Sequence, residues 1–361
     1  MKFSQVIRFG SVRPIPFIRG VAVSAAMFAL LLAPVGLQSA RAADTAAKGD
    51  EAIEYATPSN LASQGLLLAA TKAGKRLVAV GEFGHIIYSD DQGASWVQAA
   101  SVPTQATLTS VYFVNDKLGF AGGHDSTVLR TDDGGNNWTL AYHDVQAQAP
   151  IMTVYFADEN HGFAMGAFSF VIETEDGGKN WKQRSLVEGS QEDSHLNMVF
   201  GEKKTGTILV AAEFGTVYRS ADQGKTFQEI KTGYEGSFWG GVSLADGSAL
   251  IFGMRGNAYR STDDGLTWSK INSGTDKSIG GGVELANGTI VLVGLQGYVG
   301  YSTDKGLNFT EVVRADRLGY TSVTEGPQGS IAVYGEPGVK LQPDTPAEAE
   351  KAVGFHFVSG S

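Results

Sequence analysis

The chain contains no cysteine. This excludes disulfides, thiol nucleophiles, Cys-ligated zinc, iron–sulfur clusters and attachment through a lipidated cysteine. Its 6 histidines are scattered with no H-x-x-x-H pair, so neither a metal site nor any cofactor is expected. Proline is scarce, at 10 of 361 residues, while glycine reaches 47. Glycine without proline, beside 42% apolar residues, excludes collagen-like and disordered chains. It describes a chain that turns often around a packed core. No G-x-S-x-G element sits between a strand and a helix, which removes the usual serine-hydrolase arrangement.

Acidic residues are missing from the first 42 positions. Lys2, Arg8, Arg13 and Arg19 precede the apolar run from Val21 to Leu32, and small residues lead to Ala40-Arg41-Ala42. This is the pattern of a secretory signal peptide cleaved after Ala42. The run is shorter than a membrane span, and no later segment approaches that length. A periplasmic protein is expected. Five of the 28 basic residues lie in this segment, so the remainder carries a net charge near −15 against −10 for the whole chain. That balance repels nucleic acid and anionic headgroups.

What the sequence does contain is a repeat. The segments SDDQGASW from Ser89, TDDGGNNW from Thr131, TEDGGKNW from Thr174, SADQGKTF from Ser220, STDDGLTW from Ser261 and STDKGLNF from Ser302 share the form [ST]-x-D-x-G-x-x-[WF]. Their glycines stand 42, 43, 46, 41 and 41 residues apart. Such a period indicates a solenoid or a propeller. The Ser/Thr and Asp side chains suit a turn that hydrogen-bonds its own amides, and the Gly frees the backbone. The aromatic is expected to wedge between neighbouring sheets. The structural set is Asp91, Trp96, Asp133, Trp138, Asp176, Trp181, Asp222, Phe227, Asp263, Trp268, Asp304 and Phe309. A calcium loop does not fit, because the D-x-D-x-D-G order and the closing Glu are missing.

A second signature precedes each box and occurs once more after the last. Apolar, β-branched runs end in small-residue turns with tips Glu82-Phe83, His124-Asp125, Ala167-Phe168, Glu213-Phe214, Met254-Arg255, Leu295-Gln296 and Glu336-Pro337. Each unit reads as four strands, for example Leu108–Val114, Gly119–Gly122, Thr127–Arg130 and Trp138–Tyr142. The expected fold is all-β, a seven-bladed β-propeller of four-stranded antiparallel blades, six of them carrying a box. Residues 59–361 would form it, and 43–58 would be a linker or a ring-closing strand. Ala52–Ala56 or Gly354–Val358 could complete blade seven, while 342–352 reads as a linker.

Strand polarity puts the boxes on one face of the ring and the tips, with the interblade linkers, on the other. Uniform frames with varied tips place specificity in the tips. Candidate binding residues on that rim are Glu82, His124, Asp125, Glu213, Trp239, Arg255, Arg317, Tyr320 and Glu336, with His143, His195 and Phe238 beside them. Solvated turn residues are the competing reading for the charged members, and a core position in blade five for Trp239. No catalytic residue is assigned.

The boxes resemble Asp-boxes, the bacterial neuraminidase repeats, and the layout is similar to the photosystem II stability/assembly factor family. In that family a strand like Val128-Leu129-Arg130-Thr131-Asp132-Asp133-Gly134-Gly135 with its Trp follows a Gly-containing turn in every blade. The resemblance covers roughly residues 60–341. It implies a non-enzymatic lumenal or periplasmic scaffold that assists assembly of an integral membrane protein complex, such as a resistance-nodulation-division type permease outside photosynthetic hosts. A free monomer that binds no nucleic acid is expected. Asp-boxes alone specify a fold rather than a job, so a sialidase-like or other glycoside hydrolase and a carbohydrate-binding propeller stay open. Sialidases need an arginine triad, whereas Arg130, Arg219 and Arg260 immediately precede boxes here, and the Arg-x-x-Pro at Arg13–Pro16 lies in the signal segment.

Overall fold

Each repeat folds into a meander of antiparallel strands laid down in chain order. In the computed structural model, which describes residues 53–188, 193–202 and 205–353, seven such sheets are present. Six have four strands and the seventh has three. Blade one is Leu67–Ala73, Arg76–Gly81, Ile86–Ser89 and Val97–Gln98. Blade two is Leu108–Phe113, Gly119–Gly123, Thr127–Thr131 and Thr139–Tyr142, within a residue or so of the strands its sequence predicts. The protein is a seven-bladed β-propeller.

The second strands explain why the hydrophobic pattern runs through both parities. Gly119–Gly123, Gly162–Gly166, Ala249–Gly253 and Ile290–Gly294 are buried at every position. Each sheet is covered on both faces by its neighbours, so neither side of these strands meets water. The core is accordingly a series of interblade clusters. One joins Val78 and Val80 of blade one to Leu108, Phe113 and Trp138 of blade two.

The ring closes without an exchanged strand among the described residues. The first strand of blade one packs directly on that of blade seven, Tyr320–Glu325. Thr321 Oγ1 donates to Leu67 O at 2.9 Å, Ala70 N donates to Ser322 Oγ at 3.2 Å, and Lys72 Nζ pairs with Glu325 at 2.9 Å. Neither expected closing segment is seen to complete blade seven. Ile53 to Ala56 is not a strand, and Ala56 N donates to Val102 O, on the linker leaving blade one. Gly354–Val358 and Ala52 lie outside the described residues.

The expected linker at 342–352 is corrected. It contains the end of a strand, Gly338–Pro343, and an α-helix, Pro346–Val353. Proline at the start, Glu348 in the first turn and Lys351 in the last suit a short helix. The helix packs on that strand and on Thr310–Val313 of blade six, with Ala349 fully buried.

Candidate functional site: the face of tips and the channel mouth

The two faces of the ring differ in chemistry because different turns build them. On one face the six boxes repeat a single hydrogen-bond set. Ser89 Oγ donates to Asp91 Oδ1 at 2.7 Å and accepts from Gly93 N at 2.7 Å, while Ser95 N and Oγ both donate to Asp91. The same contacts recur around Asp133, Asp176, Asp222, Asp263 and Asp304. Hydrogen bonds from Ser95 hold the Asp91 carboxyl at about 2, and those from Asn180 hold Asp176 at about 2. The box aromatics wedge against the preceding blade: Trp96 meets Tyr334, Trp181 meets Phe120 and Phe227 meets Phe163, with ring centroids 5.8, 6.4 and 6.0 Å apart. Trp138, Trp268 and Phe309 sit in equivalent interblade clusters.

Arginines staple this face together. Arg76 reaches Gly134 O in the next box, Arg184 reaches Gly224 O, and Arg219 binds both the carbonyl and carboxylate of Asp264. Arg130 and Arg260 pair with Asp132 and Asp246. The arginines before the boxes are thus engaged in ion pairs and turns on the structural face, and do not converge on a substrate carboxylate.

The opposite face is built by the tips. In all seven blades the first tip residue donates its N–H to the residue that precedes the blade's first strand: Glu82 to Leu66, His124 to Thr107, Ala167 to Pro150, Glu213 to His195, Met254 to Ser237, Leu295 to Ser278 and Glu336 to Gly319. This constant bond fixes the frame. In six of the seven blades the second tip residue lies in the left-handed region, with φ of 55–57° at Phe83, Asp125, Phe168, Phe214, Arg255 and Gln296; in blade seven it is Pro337, which does not adopt it. Glycine or asparagine is the usual occupant of such a position. Here three of the six are phenylalanines, and they are exposed: Phe83 by 60%, Phe168 by 56% and Phe214 by 57%.

A second ring lies at the mouth of the channel. The seven first strands pack side by side around the axis, and each shifts register at its second residue: Leu68, Thr109, Met152, Asn197, Trp239, Gly280 and Thr321. Such bulges re-aim a side chain. Each follows a fully buried residue, from Leu67 through Phe238 to Tyr320. Thr109, Asn197 and Thr321 use the position to bond the next blade's first strand, at Ile151 O, Phe238 O and Leu67 O. Leu68, Met152 and Trp239 are half-buried apolar side chains in the same ring.

These contacts sort the rim residues read from the sequence. Glu82 Oε1 accepts from Leu66 N and Glu213 Oε2 from His195 N, both at 2.9 Å. Both carboxylates therefore brace their own turns. Glu336 is exposed, its carboxylate lying over Gly319. Tyr320 is corrected from rim to core: it is 0% exposed and its OH donates to Asp316 Oδ2 at 2.7 Å. Phe238 is likewise core. His124, Asp125, Arg255 and Arg317 are exposed at turns, and His143 is held by Thr127 Oγ1 at 3.1 Å. Trp239 belongs to neither expected setting alone, since the bulge sets it at the channel mouth beside the buried Phe238.

Concavities adjoin this face at the blade-three tip, where Ser169, Leu186, Val187, Leu196 and Tyr218 line one, and at blade five. The second is an open groove of about 600 Å³ lined by Tyr234, Glu235, Met254, Arg255, Tyr259 and Lys270. Tyr234 OH donates to Met254 O at 3.2 Å, and Lys270 Nζ to Asn257 Oδ1 at 2.9 Å. Sequence reasoning found Arg255 but missed the tyrosines and Lys270, because the groove joins a tip, a linker and an outer strand that are distant in the repeat pattern. Among the described residues no three His, Asp or Glu side chains gather as a metal site.

Comparison with known proteins follows the repeat. Residues 136–305 match the family model of the photosynthesis system II assembly factor YCF48. Among curated protein sequences, none matches the chain significantly. A solved structure of YCF48 bound to a D1 peptide superposes with a TM-score of 0.63 at 16% identity, covering 78% of this chain and 94% of that one. YCF48 from Cyanidioschyzon merolae gives 0.59 at 15%, covering 80% and 97%. The WD40 propeller domain of Doa1 gives 0.60 at 14%, covering 83% and 99%. The Doa1 match reflects the shared propeller architecture. The box and tip signatures stand in register across the matched residues 136–305, and over that stretch the propeller is similar to the photosystem II assembly factor family typified by YCF48.

Proposed function

We propose that the protein is a non-enzymatic periplasmic assembly factor that binds a segment of an integral membrane protein at the face opposite the Asp-boxes. The observation that carries this reading is the asymmetry of the two faces. The box face is a closed, repeated hydrogen-bond network, whereas the tip face varies from blade to blade around a channel mouth of mixed polar and apolar residues with Trp239 among them. Partly exposed Trp and Arg are the residue types that anchor protein interfaces. Trp239 lies at the mouth, and Arg255 edges the groove of blade five. A relative's solved complex with a D1 peptide supports the same class of partner. A resistance-nodulation-division type permease is the specific partner this reading favours for a non-photosynthetic host.

The test is capture from the host's own detergent-solubilised envelope by tagged residues 43–361, with mass spectrometry of what is retained. One dominant integral membrane protein is expected, lost with Trp239→Ala and Arg255→Glu. Capture that survives both substitutions but fails with a change on the box face, such as Lys179→Glu, would reverse the assignment of the faces.

A further inference from the structure

The three tip phenylalanines have no role in the fold just described. Their rings are more than half exposed, they stand on the turns between second and third strands, and they occupy a backbone conformation that disfavours them. Phe83 leans edge-on against His85 and Phe168 against His195, at 6.0 and 5.3 Å between centroids, which holds the rings up without burying them. They sit on blades one, three and four, with Asp125 on the blade between Phe83 and Phe168. The described chain also starts at this side of the ring. Ile53 and Tyr55 are both 53% exposed, and Ala56 lies against the Gly84 of the blade-one tip.

We propose that Phe83, Phe168 and Phe214 seat this face on the surface of a zwitterionic lipid bilayer. The argument is one of shape and charge. A protein hot spot is a contiguous cluster sealed by a rim, but these side chains stand singly on equivalent turns of one face. Equivalent turns of a ring end at a common level, and a plane is the surface that all three can enter together. Isolated aromatics on a polar face insert into a bilayer interface in this way. The charges around them decide the lipid. Asp125, Asp144 and Asp193 lie among these tips and linkers, Arg255 and Arg317 are the exposed arginines on the turns of blades five to seven, and the chain beyond residue 42 is strongly acidic overall. Anionic headgroups are therefore repelled and zwitterionic ones are not. This inference is independent of which protein the channel mouth binds.

The experiment is flotation of residues 43–361 with protein-free vesicles of phosphatidylcholine, and with vesicles in which a third of the lipid is phosphatidylglycerol. The wild type is expected to float with phosphatidylcholine, increasingly with lipid concentration, and less with the anionic mixture. The triple variant Phe83→Asn, Phe168→Asn, Phe214→Asn is expected to lose at least ten-fold in that partitioning. Asn suits the left-handed position, so the variant should fold, and its thermal melt checks that it does. Wild type that stays with the soluble fraction at every lipid concentration overturns the proposal, as does a triple variant that floats equally well. Flotation only with vesicles carrying a reconstituted membrane protein overturns it in favour of a protein contact. Detergent capture through Trp239 is read separately, so either inference can fail alone.

Discussion

Thr321 Oγ1 donates to Leu67 O at 2.9 Å, across 254 positions of sequence. The bond sits at the bulge of blade seven and joins the last first-strand to the first. Replacing it by Thr321→Val keeps the shape and removes the donor, which is expected to cost about 1 kcal/mol. Chemical denaturation measures this. Hydrogen exchange should show the loss concentrated in Leu67–Ala73 and Tyr320–Glu325 rather than spread around the ring.

Trp138 is 2% exposed and lies edge-on to Phe113 at 6.0 Å. Trp138→Ala should destabilise by roughly 3–5 kcal/mol through the cavity it leaves between blades one and two. Arg255→Glu, at an exposed tip, should leave the denaturation midpoint almost unmoved. Equal losses in the two variants would contradict the division of the ring into a structural face and a free one.

Phe168 is held at φ 57°. Relief of a left-handed non-glycine residue is worth roughly 1 kcal/mol. Phe168→Gly and Phe168→Asn are therefore expected to melt at the same temperature as the wild type or higher. A marked fall in melting temperature would mean that the ring contributes packing that its exposure does not suggest.

The box carboxylates make the fold sensitive to acid. Asp91, Asp176, Asp222 and Asp304 are held at about 2, below the usual 3.8. In Asp222 and Asp304 burial pushes the other way, and the hydrogen bonds from Thr226 and Asn308 outweigh it. A carboxyl depressed by folding adds stability that is present above its unfolded value and lost as the pH falls through the folded one. Stability should thus decline from about pH 4 down to about pH 2. Asp176→Asn should shallow that decline while lowering stability near neutrality, as denaturation at both pH values would show.

Glu213 Oε2 accepts the His195 N–H. Glu213→Ala leaves that donor without its partner next to the first strand of blade four, at about 1–2 kcal/mol. Glu213→Gln, which still offers an oxygen, should recover most of the loss in a thermal melt. A rim residue used only for binding would show no such difference.

The ring and its two faces were legible because the box repeats at a period near one blade and its glycines mark each turn. The bulges were not. Trp239 and Thr321 look like ordinary members of alternating strands, and only the pairing of Phe238 with Gly253 and of Tyr320 with Gly335 reveals the extra residue. Tyr320 reads as a rim residue in the sequence for the same reason, since one residue of slip moves a side chain from rim to core. The tips misled in another way. Charge drew attention to Glu82 and Glu213, which fold back on their own turns, while the neighbouring Phe83 and Phe214 carried the exposure. The helix at Pro346–Val353 had a signal, Thr345-Pro346 before an Ala/Glu run, but repeat logic left no place for it.

The seam also has a consequence for how the molecule comes into being. Every described blade uses consecutive strands, so blades can form one after another as the chain emerges from its amino terminus. Blade one, however, buries Leu67, Ala79, Ile87 and Trp96 against Ala332 and Tyr334 of blade seven. Until that last sheet arrives, the first one presents a bare apolar side to whatever is near. A truncated or stalled product therefore carries a sticky end that the finished ring hides, and a holding chaperone would meet it there.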